Sequence, residues 1–423
     1  MPRLLSVRSF PRAIMHMDGD AFFVSVEVAK NPGLRGKPAV TGSERGIVSA
    51  LSYEAKALGI TRGMPIYQVK KKFPSVIVLP GDYESYVEYS QKMFDIVRRY
   101  TEMVEEYSID ECFADLTGWR RPLKMTYRQI LENIQKDISD ELDISVSLGL
   151  APTKVLAKVA SKWVKPRGLT LIPGKLAHLF LAKTPIEKIW GIGPNTSRFL
   201  LQKGVKTAYD FASKDEAWIK HHLSKPYEEI WTELNCEVVH DIDPNPKITY
   251  SSISKTKTFH PPSSNPEFLL SELSRNVESA CRKARHYKLE TRKIFYFLKT
   301  QSFSYHKQDL AIPSPTNIPS KILSYVEKDF LKIHRKNTLY RATGITLCDL
   351  IPEKNRQVDL FGDVERTEKL VKIFEQVDTV ERKFGINSVF LASTLKAKRE
   401  KERNEKRDGN RESDDKNRDL LFL

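Results

Sequence analysis

Ala13-Ile14-Met15-His16-Met17-Asp18-Gly19-Asp20-Ala21-Phe22-Phe23 carries an apolar run into a pair of acids, and Tyr107-Ser108-Ile109-Asp110-Glu111 repeats the theme about 90 residues later. Each cluster places carboxylates at the end of a β-like run. A fold that brings such groups together can hold hard divalent cations against a triphosphate. Asp110 and Glu111 also interrupt an apolar hairpin, where charge is costly unless a cation or partner compensates it. The backbone carbonyl of Gly19 offers one more oxygen ligand.

The surrounding pattern says how the clusters could meet. Residues 13–17 read as a buried strand and 21–30 as a helix; 31–80 are shorter pieces punctuated by Gly and Pro. Tyr83, Tyr86, Val87, Ser90, Met93, Phe94 and Val97 follow helical spacing. Strands are expected near 104–109 and 112–116, then a helix with Ile130, Leu131, Ile134 and Ile138. Ile144, Val146, Leu148 and Leu150 alternate with small residues as a further strand. Without the 25–80 insertion the order is β-α-β-β-α-β, a split βαβ layer in which the first strand neighbours the hairpin. Asp18 can then meet Asp110 and Glu111. The same element order returns: strand 251–259, a helix with Leu269, Leu273, Val277 and Ala284, strands near 292–299 and 303–311, a helix with Ile322, Val326, Phe330 and Ile333, and strand 341–350. Short helices are expected between the two layers.

The chain has 423 residues, enough for two to four domains with cores of their own. Its 69 basic against 54 acidic side chains leave a net charge of +15, which points to a polyanionic partner. Residues 251–310 hold 11 Lys/Arg against 5 Asp/Glu, including Arg282, Arg285, Lys288 and Arg292. Such side chains neutralise phosphates without reading sequence. Cys112, Cys236, Cys281 and Cys348 lie far apart with no C-x-x-C pair, which argues against a zinc ribbon and for a reducing compartment. No apolar stretch is long enough to span a membrane, and residues 1–13 lack a signal-peptide core. Beyond Leu395, 10 basic and 8 acidic side chains precede Leu420-Leu421-Phe422-Leu423, so 395–423 is expected to be a disordered charged tail.

Two further features carry chemistry. Lys154, Lys158, Lys162 and Lys165 fall on one helical face, either a solvated basic face or, beside the carboxylates, a phosphate-facing stripe. Trp190-Gly191-Ile192-Gly193-Pro194 followed by Leu201-Gln202-Lys203-Gly204-Val205 reads as a helix-hairpin-helix, with Gly191 and Gly193 letting backbone N–H groups approach a DNA phosphate.

MDGDAFFVSVE, VSALSYEAKALGITRGMP, EYSIDECFADLTG and GLAPTKVLAKVASKWVKPRG, in this order and spacing, resemble Y-family DNA polymerases of the DinB, or DNA polymerase IV, type, over residues 12 to about 352 and weakly to 394. The resemblance implies an α+β right-hand polymerase: palm at 12–24 and 81–171, fingers at 25–80, a helical thumb with helix-hairpin-helix at 172–241, and a βαββαβ little finger at 251–352. A C-terminal segment would follow at 353–394. Asp18 and Asp110 would bind two Mg2+ ions, for which Mn2+ would also serve. Glu111 would be the third catalytic carboxylate, and Asp20 an acidic neighbour rather than a principal ligand. Phe22 would help bind the incoming nucleotide. Phe23 fits the steric gate under the sugar, Tyr53 the sugar and triphosphate contact, and Lys165 a γ-phosphate contact. Two positions depart from the family. Ala50 stands where Thr is usual, and Lys56 where Arg is usual, so a phosphate hydrogen bond and a bidentate fork are lost.

What the resemblance implies is translesion synthesis on primer-template DNA from dNTPs, of low fidelity and without proofreading, by a cytoplasmic monomer associated with the nucleoid. Small residues such as Gly42, Ser49, Ala50 and Ser52 would cover the nascent base pair loosely. Gln357-Val358-Asp359-Leu360-Phe361 resembles the pentapeptide that binds the bacterial sliding clamp, placing Leu360 and Phe361 in a groove; the terminal residues 419–423 are a second candidate. Two rivals remain: a non-catalytic DNA- and clamp-binding scaffold, which the retained carboxylates and Phe23 disfavour, and a nucleotidyl cyclase, which the basic C-terminal layer disfavours.

Overall fold

Burial along the first strand sets the frame. β1 (Ile14–Gly19) is buried throughout; Met15 and Met17 enter one apolar cluster, while Ile14 enters another on the opposite face. A strand covered on both faces must read as nearly continuous apolar sequence, as this one does. The computed structural model describes residues 5–6, 8–245, 250–353, 364–385 and 388–399. The pentapeptide 357–361 and the chain beyond 399 lie outside the described residues. Two compact units are present, one running to Pro246 and one from Lys247 onward.

In the first unit, α1 (Phe22–Lys30) follows β1. The Gly- and Pro-punctuated stretch then folds as β2 (Ala39–Thr41), β3 (Ala50–Leu51), α2 (Tyr53–Ala57), α3 (Ile66–Lys72) and β4 (Ile77–Leu79). These strands form a small sheet, β3-β2-β4, with a core of its own around Val40, Val48, Ile60 and Val69. Next come α4 (Tyr83–Arg98), β5 (Val104–Glu106), β6 (Glu111–Asp115), α5 (Arg120–Leu123), α6 (Tyr127–Leu142), β7 (Val146–Ala151), α7 (Lys154–Ser161) and β8 (Leu169–Leu171). Side-chain caps fix the ends of the long helices. Asp82 accepts from Ser85 N at the start of α4, and Thr126 with Gln129 closes a capping box on α6. The sheet order is β5-β6-β1-β7-β8, with β1 antiparallel to both neighbours. This is the expected split layer, extended by the unexpected β8.

One sheet face packs on α4 and α6; the other presents Ile14 and Phe113 to α7 and to the helices that follow. Those are α8 (Ala177–Leu181), α9 (Pro194–Gln202), α10 (Ala208–Ala212), α11 (Glu216–His222) and α12 (Lys225–Leu234). Buried Glu233 ties them to α7. Its carboxylate accepts from Val155 N at 2.9 Å, satisfying a free amide at the positive end of that helix.

The second unit consists of β9 (Ser252–Ser263), α13 (Pro266–His286), β10 (Leu289–Thr300), β11 (Tyr305–Thr316), α14 (Pro319–Ile333), β12 (Tyr340–Pro352) and α15 (Val364–Phe384). The element order repeats that of the first unit, but the strand order does not. The antiparallel sheet runs β11-β10-β12-β9, so its first strand lies at an edge instead of near the centre. Helix α15 docks on α13 through two forked ion pairs, Arg282 to Glu381 at 2.6 and 2.8 Å and Arg285 to Asp378 at 2.6 and 2.7 Å. Leu391 N donates to Glu278 Oε1 at 2.6 Å, and Ala397 N to Ser271 Oγ at 3.0 Å. Ordered chain therefore continues past 395, where charge density alone suggests a disordered tail. Ala397 is fully buried.

Glu278 gives this docking a pH dependence. Burial pushes its carboxyl up to about 7, although the Leu391 N–H, Arg282 and Arg275 pull the other way and Glu381 adds to the rise. A carboxyl raised in the fold favours the folded state while protonated. That contribution is complete below its ordinary value of 4.5 and is lost as pH rises through 7. Glu278→Gln keeps an acceptor for Leu391 and cannot ionise. Its stability relative to wild type should rise across this window by up to about 3 kcal/mol. Melting curves of both proteins at several pH values check this, and a constant difference contradicts it.

Candidate active site

The β1–β6 register pairs Asp18 directly with Glu111. Gly19 N donates to Asp110 O at 2.8 Å, so the three acids gather at one end of the sheet. The close approach needs Gly19: a Cβ there would lie 3.1 Å from the Phe22 ring and 3.4 Å from the Asp110 side chain. Alternation turns Asp18 and Glu111 to the face covered by α7, alongside His16 and Phe113. Asp110 Oδ1 accepts from Ser108 Oγ at 2.7 Å within the tight turn between β5 and β6. The expected hairpin strands stop short to make that turn, in which Tyr107 N and Ser108 N both donate to Glu111 O.

Cations of the chain itself occupy this acidic end. Lys165 Nζ bonds Asp18 and lies 3.6 Å from Asp20 Oδ1, while Lys158 Nζ bonds Glu111 Oε2 at 2.6 Å. Even so, burial raises the Asp18 carboxyl above its ordinary value, with Lys165 opposing and Glu111 adding. Burial likewise raises Asp110, helped by Asp18 and opposed by the Ser108 hydroxyl and Arg62. Carboxyls raised in this way gain from further positive charge. His16 is held well below its ordinary value, first by burial and then by Lys158, Lys162 and Lys165, so its imidazole is neutral. It bonds Ser161 Oγ at 2.7 Å, and its Nε2 points toward Glu111 at 4.0 Å.

The lysine series divides, and its first two members turn inward. Helix α7 ends at Ser161, with Lys162 as its cap. Lys154 and Lys158 are each only 5% exposed. Lys154 pairs with Glu105 at 2.5 Å, and Lys158 sits 4.3 Å from the Tyr107 ring centre and 4.9 Å from that of Trp190. Trp190 Nε1 donates to the Tyr107 hydroxyl at 3.1 Å, closing the cage. Helical spacing shows which lysines share a face, but not that Lys154 and Lys158 are internal while Lys162 is exposed. Only Lys165 reaches the acids from beyond the helix.

Asp20 organises the surroundings. Only 1% exposed, it accepts from Ser147 Oγ at 2.7 Å, Arg167 N at 2.8 Å and the Tyr53 hydroxyl at 3.3 Å. Ala21 follows at φ 49°, a left-handed conformation rare for residues with a Cβ, and swings the chain into α1. The first turn of α1 has no side-chain cap. Phe23 stacks on Tyr86 with ring centres 4.3 Å apart and 10° between planes, and meets Tyr83 edge-on at 5.8 Å. Both tyrosines are fixed in turn, Tyr86 by Glu27 at 2.8 Å and Tyr83 by Glu44 at 2.9 Å. The gate candidate thus rests on a rigid aromatic base.

An open cleft runs from Phe22, Phe23 and Asp110 to Ser49, Ala50, Arg45 and Arg62. Arg45 and Arg62 went unnoticed in the sequence, where they are two basic residues in an irregular stretch without period. Lys56 is exposed on α2 and does not line this cleft. Ser52 does not line it either; its hydroxyl accepts from Ala55 N and Ala39 N, both at 3.1 Å, capping α2. Among the described residues no group of three or more His, Cys, Asp or Glu side chains is arranged to hold a metal ion. Two carboxylates such as Asp18 and Asp110 suit instead an open divalent-cation site, which leaves coordination positions to substrate phosphates.

Elsewhere the expected contacts divide. Gly191 adopts φ 91°, and a Cβ there would strike Ile230 at 2.6 Å, whereas Gly193 opens α9 with nothing within 4 Å of its Cβ position. Lys288 and Arg292 are exposed. Arg282 and Arg285 are not available as expected, because their guanidinium forks are engaged by Glu381 and Asp378.

The family model described as impB/mucB/samB family matches residues 17–162, and that of its C-terminal domain matches 250–360. The chain is 32% identical over 385 residues to a DNA polymerase IV of Desulfatibacillum aliphaticivorans, covering 90% of this chain and 96% of that protein. It is 31% identical over 396 residues to DNA polymerase IV 1 of Bacillus subtilis (strain 168), covering 92% and 95%. A solved structure described as Y-family DNA polymerase chimera Dbh-Dpo4(243-245)-Dbh has a TM-score of 0.68 at 22% identity, covering 80% of this chain and 99% of that one; this likeness is one of fold. The paired acids at the sheet end, the two matched regions and the near full-length relatives agree: the chain belongs to the impB/mucB/samB family, the Y-family polymerases of the DNA polymerase IV type.

Proposed function

We infer that this protein is a template-dependent DNA polymerase that adds deoxynucleotides to a primer 3′-hydroxyl during translesion synthesis, with low fidelity and no proofreading. The pairing of Asp18 with Glu111 across β1–β6, with Asp110 bonded to Gly19, carries this reading. Asp18, Asp110 and the Gly19 carbonyl would hold two Mg2+ ions, or Mn2+ in their place, with Glu111 beside the primer terminus. When bound, such ions make the attacking hydroxyl more acidic and offset charge on the triphosphate. The chain's own groups position the substrates for in-line displacement of pyrophosphate.

The uncapped amides at the start of α1 suit an anionic triphosphate. Lys165 is a point charge for its outer phosphate. Arg45 and Arg62, which line the cleft, make up for a lysine at position 56. Tyr53 is aimed through Asp20. The hand is assigned as palm (12–24 and 81–171), fingers (25–80), thumb (172–241) and little finger (251–352). Gly191, Gly193, Lys288 and Arg292 are DNA contacts in this scheme. The clamp role of Gln357, Leu360 and Phe361 rests on sequence alone, as do the monomeric state and action in the cytoplasm at the nucleoid.

Extension of a primed template by the full chain tests the reading. Wild type should extend only with Mg2+ or Mn2+, and Asp110→Ala should lower the rate by a factor on the order of 1000 or more. Absence of metal-dependent extension by wild type would instead favour a DNA-binding scaffold. Removing the gate is a separate test. Phe23→Val should raise ribonucleotide relative to deoxynucleotide incorporation on the order of 100-fold, because the exclusion is steric. An unchanged sugar preference would remove Phe23 from that role.

A further inference from the structure

The hairpin joining β10 to β11 ends in two aromatic rings with no core to fill. Phe303 is 59% and Tyr305 51% exposed. Phe303 N donates to Thr300 O at 3.0 Å and Thr300 N to Ser304 O at 2.8 Å, closing a three-residue turn whose last position is Phe303. That residue sits at φ 68°. Such turns place glycine at the left-handed position, since a side chain there is strained. A bulky aromatic kept in that conformation, and turned to solvent, points to a task outside the fold.

The surroundings suggest which task. Lys299 Nζ lies 4.8 Å from the Phe303 ring centre and 4.9 Å from that of Tyr305, and the Arg341 guanidinium lies 4.5 Å from Phe303. Tyr305 meets Phe297 edge-on at 5.1 Å, extending the aromatic row along the open sheet face. Segments 299–307 and 335–343, joined by Gln301 N to Leu339 O at 2.8 Å, hold five Lys/Arg and no Asp/Glu. Cations alone are enough for a duplex backbone, whose bases hide their faces in the stack. Exposed rings interleaved with cations suit bases that are unpaired.

We propose that this hairpin tip is a stacking platform for single-stranded DNA, with Phe303 and Tyr305 receiving unpaired bases and Lys299 and Arg341 meeting the adjoining phosphates. The polymerase reading enters only in the choice of DNA as the strand. Dye-labelled oligothymidylate and a hairpin duplex are titrated against the full chain at fixed salt, for wild type, Phe303→Ala, Phe303→Trp and Phe303→Gly. Phe303→Ala should weaken single-strand binding about tenfold or more and leave duplex binding within about twofold. Phe303→Trp should retain the single-strand affinity. Phe303→Gly should lose it while melting no lower than wild type, because the turn is relaxed, which separates loss of the ring from loss of folding. The proposal is overturned if single-strand and duplex affinities fall together, if neither changes, or if Phe303→Trp behaves as the alanine variant. Primer extension by the same wild-type preparation is scored alongside. Its failure would strike the polymerase reading and leave the binding comparison intact.

Discussion

Two carboxylates set directly opposite each other at the end of a buried sheet govern the first unit. Like charges in register on antiparallel strands repel; for Asp18 and Glu111 at about 5 Å and an effective dielectric of about 20, the repulsion is on the order of 3 kcal/mol. Such a pair is destabilising unless it is compensated. Here it comes from Lys165 on one acid and Lys158 on the other, the latter fixed between Tyr107 and Trp190. The ammonium groups mark where positive charge is needed. Of the three acids Asp110 lines the cleft with Phe22, Phe23 and Arg62, which is where a metal-bound triphosphate would supply positive charge.

Much of this was legible in the residues. Period-2 and helical spacing located β1, α4, α6 and β7, since these elements are buried on defined faces and their apolar positions have little freedom. The meeting of Asp18 with Asp110 and Glu111 followed from topology. What spacing could not tell was direction. Lys154 and Lys158 share a helical face that turns inward, because Glu105, Glu111 and the aromatic cage, remote in sequence, neutralise and shield them. Arg45 and Arg62 reach the cleft from irregular segments, where no period exists to be read. The element order of the second unit was readable and its strand order was not, because pairing partners are chosen by packing across the whole layer.

Charge in the second unit has two separate uses. Arg282 and Arg285 look like DNA contacts by composition, yet each is forked onto an acid of α15. Breaking a partly buried pair of this kind leaves an uncompensated charge, which is why such contacts hold one segment in a single place. Lys288 and Arg292 are exposed, and Lys299 and Arg341 lie half-buried around Phe303; these are the groups proposed to meet polyanions. Net charge therefore overstates the exposed basic surface, and only the structure separates internal ties from free cations.

Counting bound Mn2+ by electron paramagnetic resonance, with a primed template and a non-hydrolysable dNTP present, tests the central arrangement most directly. Two ions per chain are expected for wild type, and at most one when Asp18 is replaced by alanine. Undiminished binding in Asp18→Ala, or no binding in wild type, would contradict a metal site built on the paired acids.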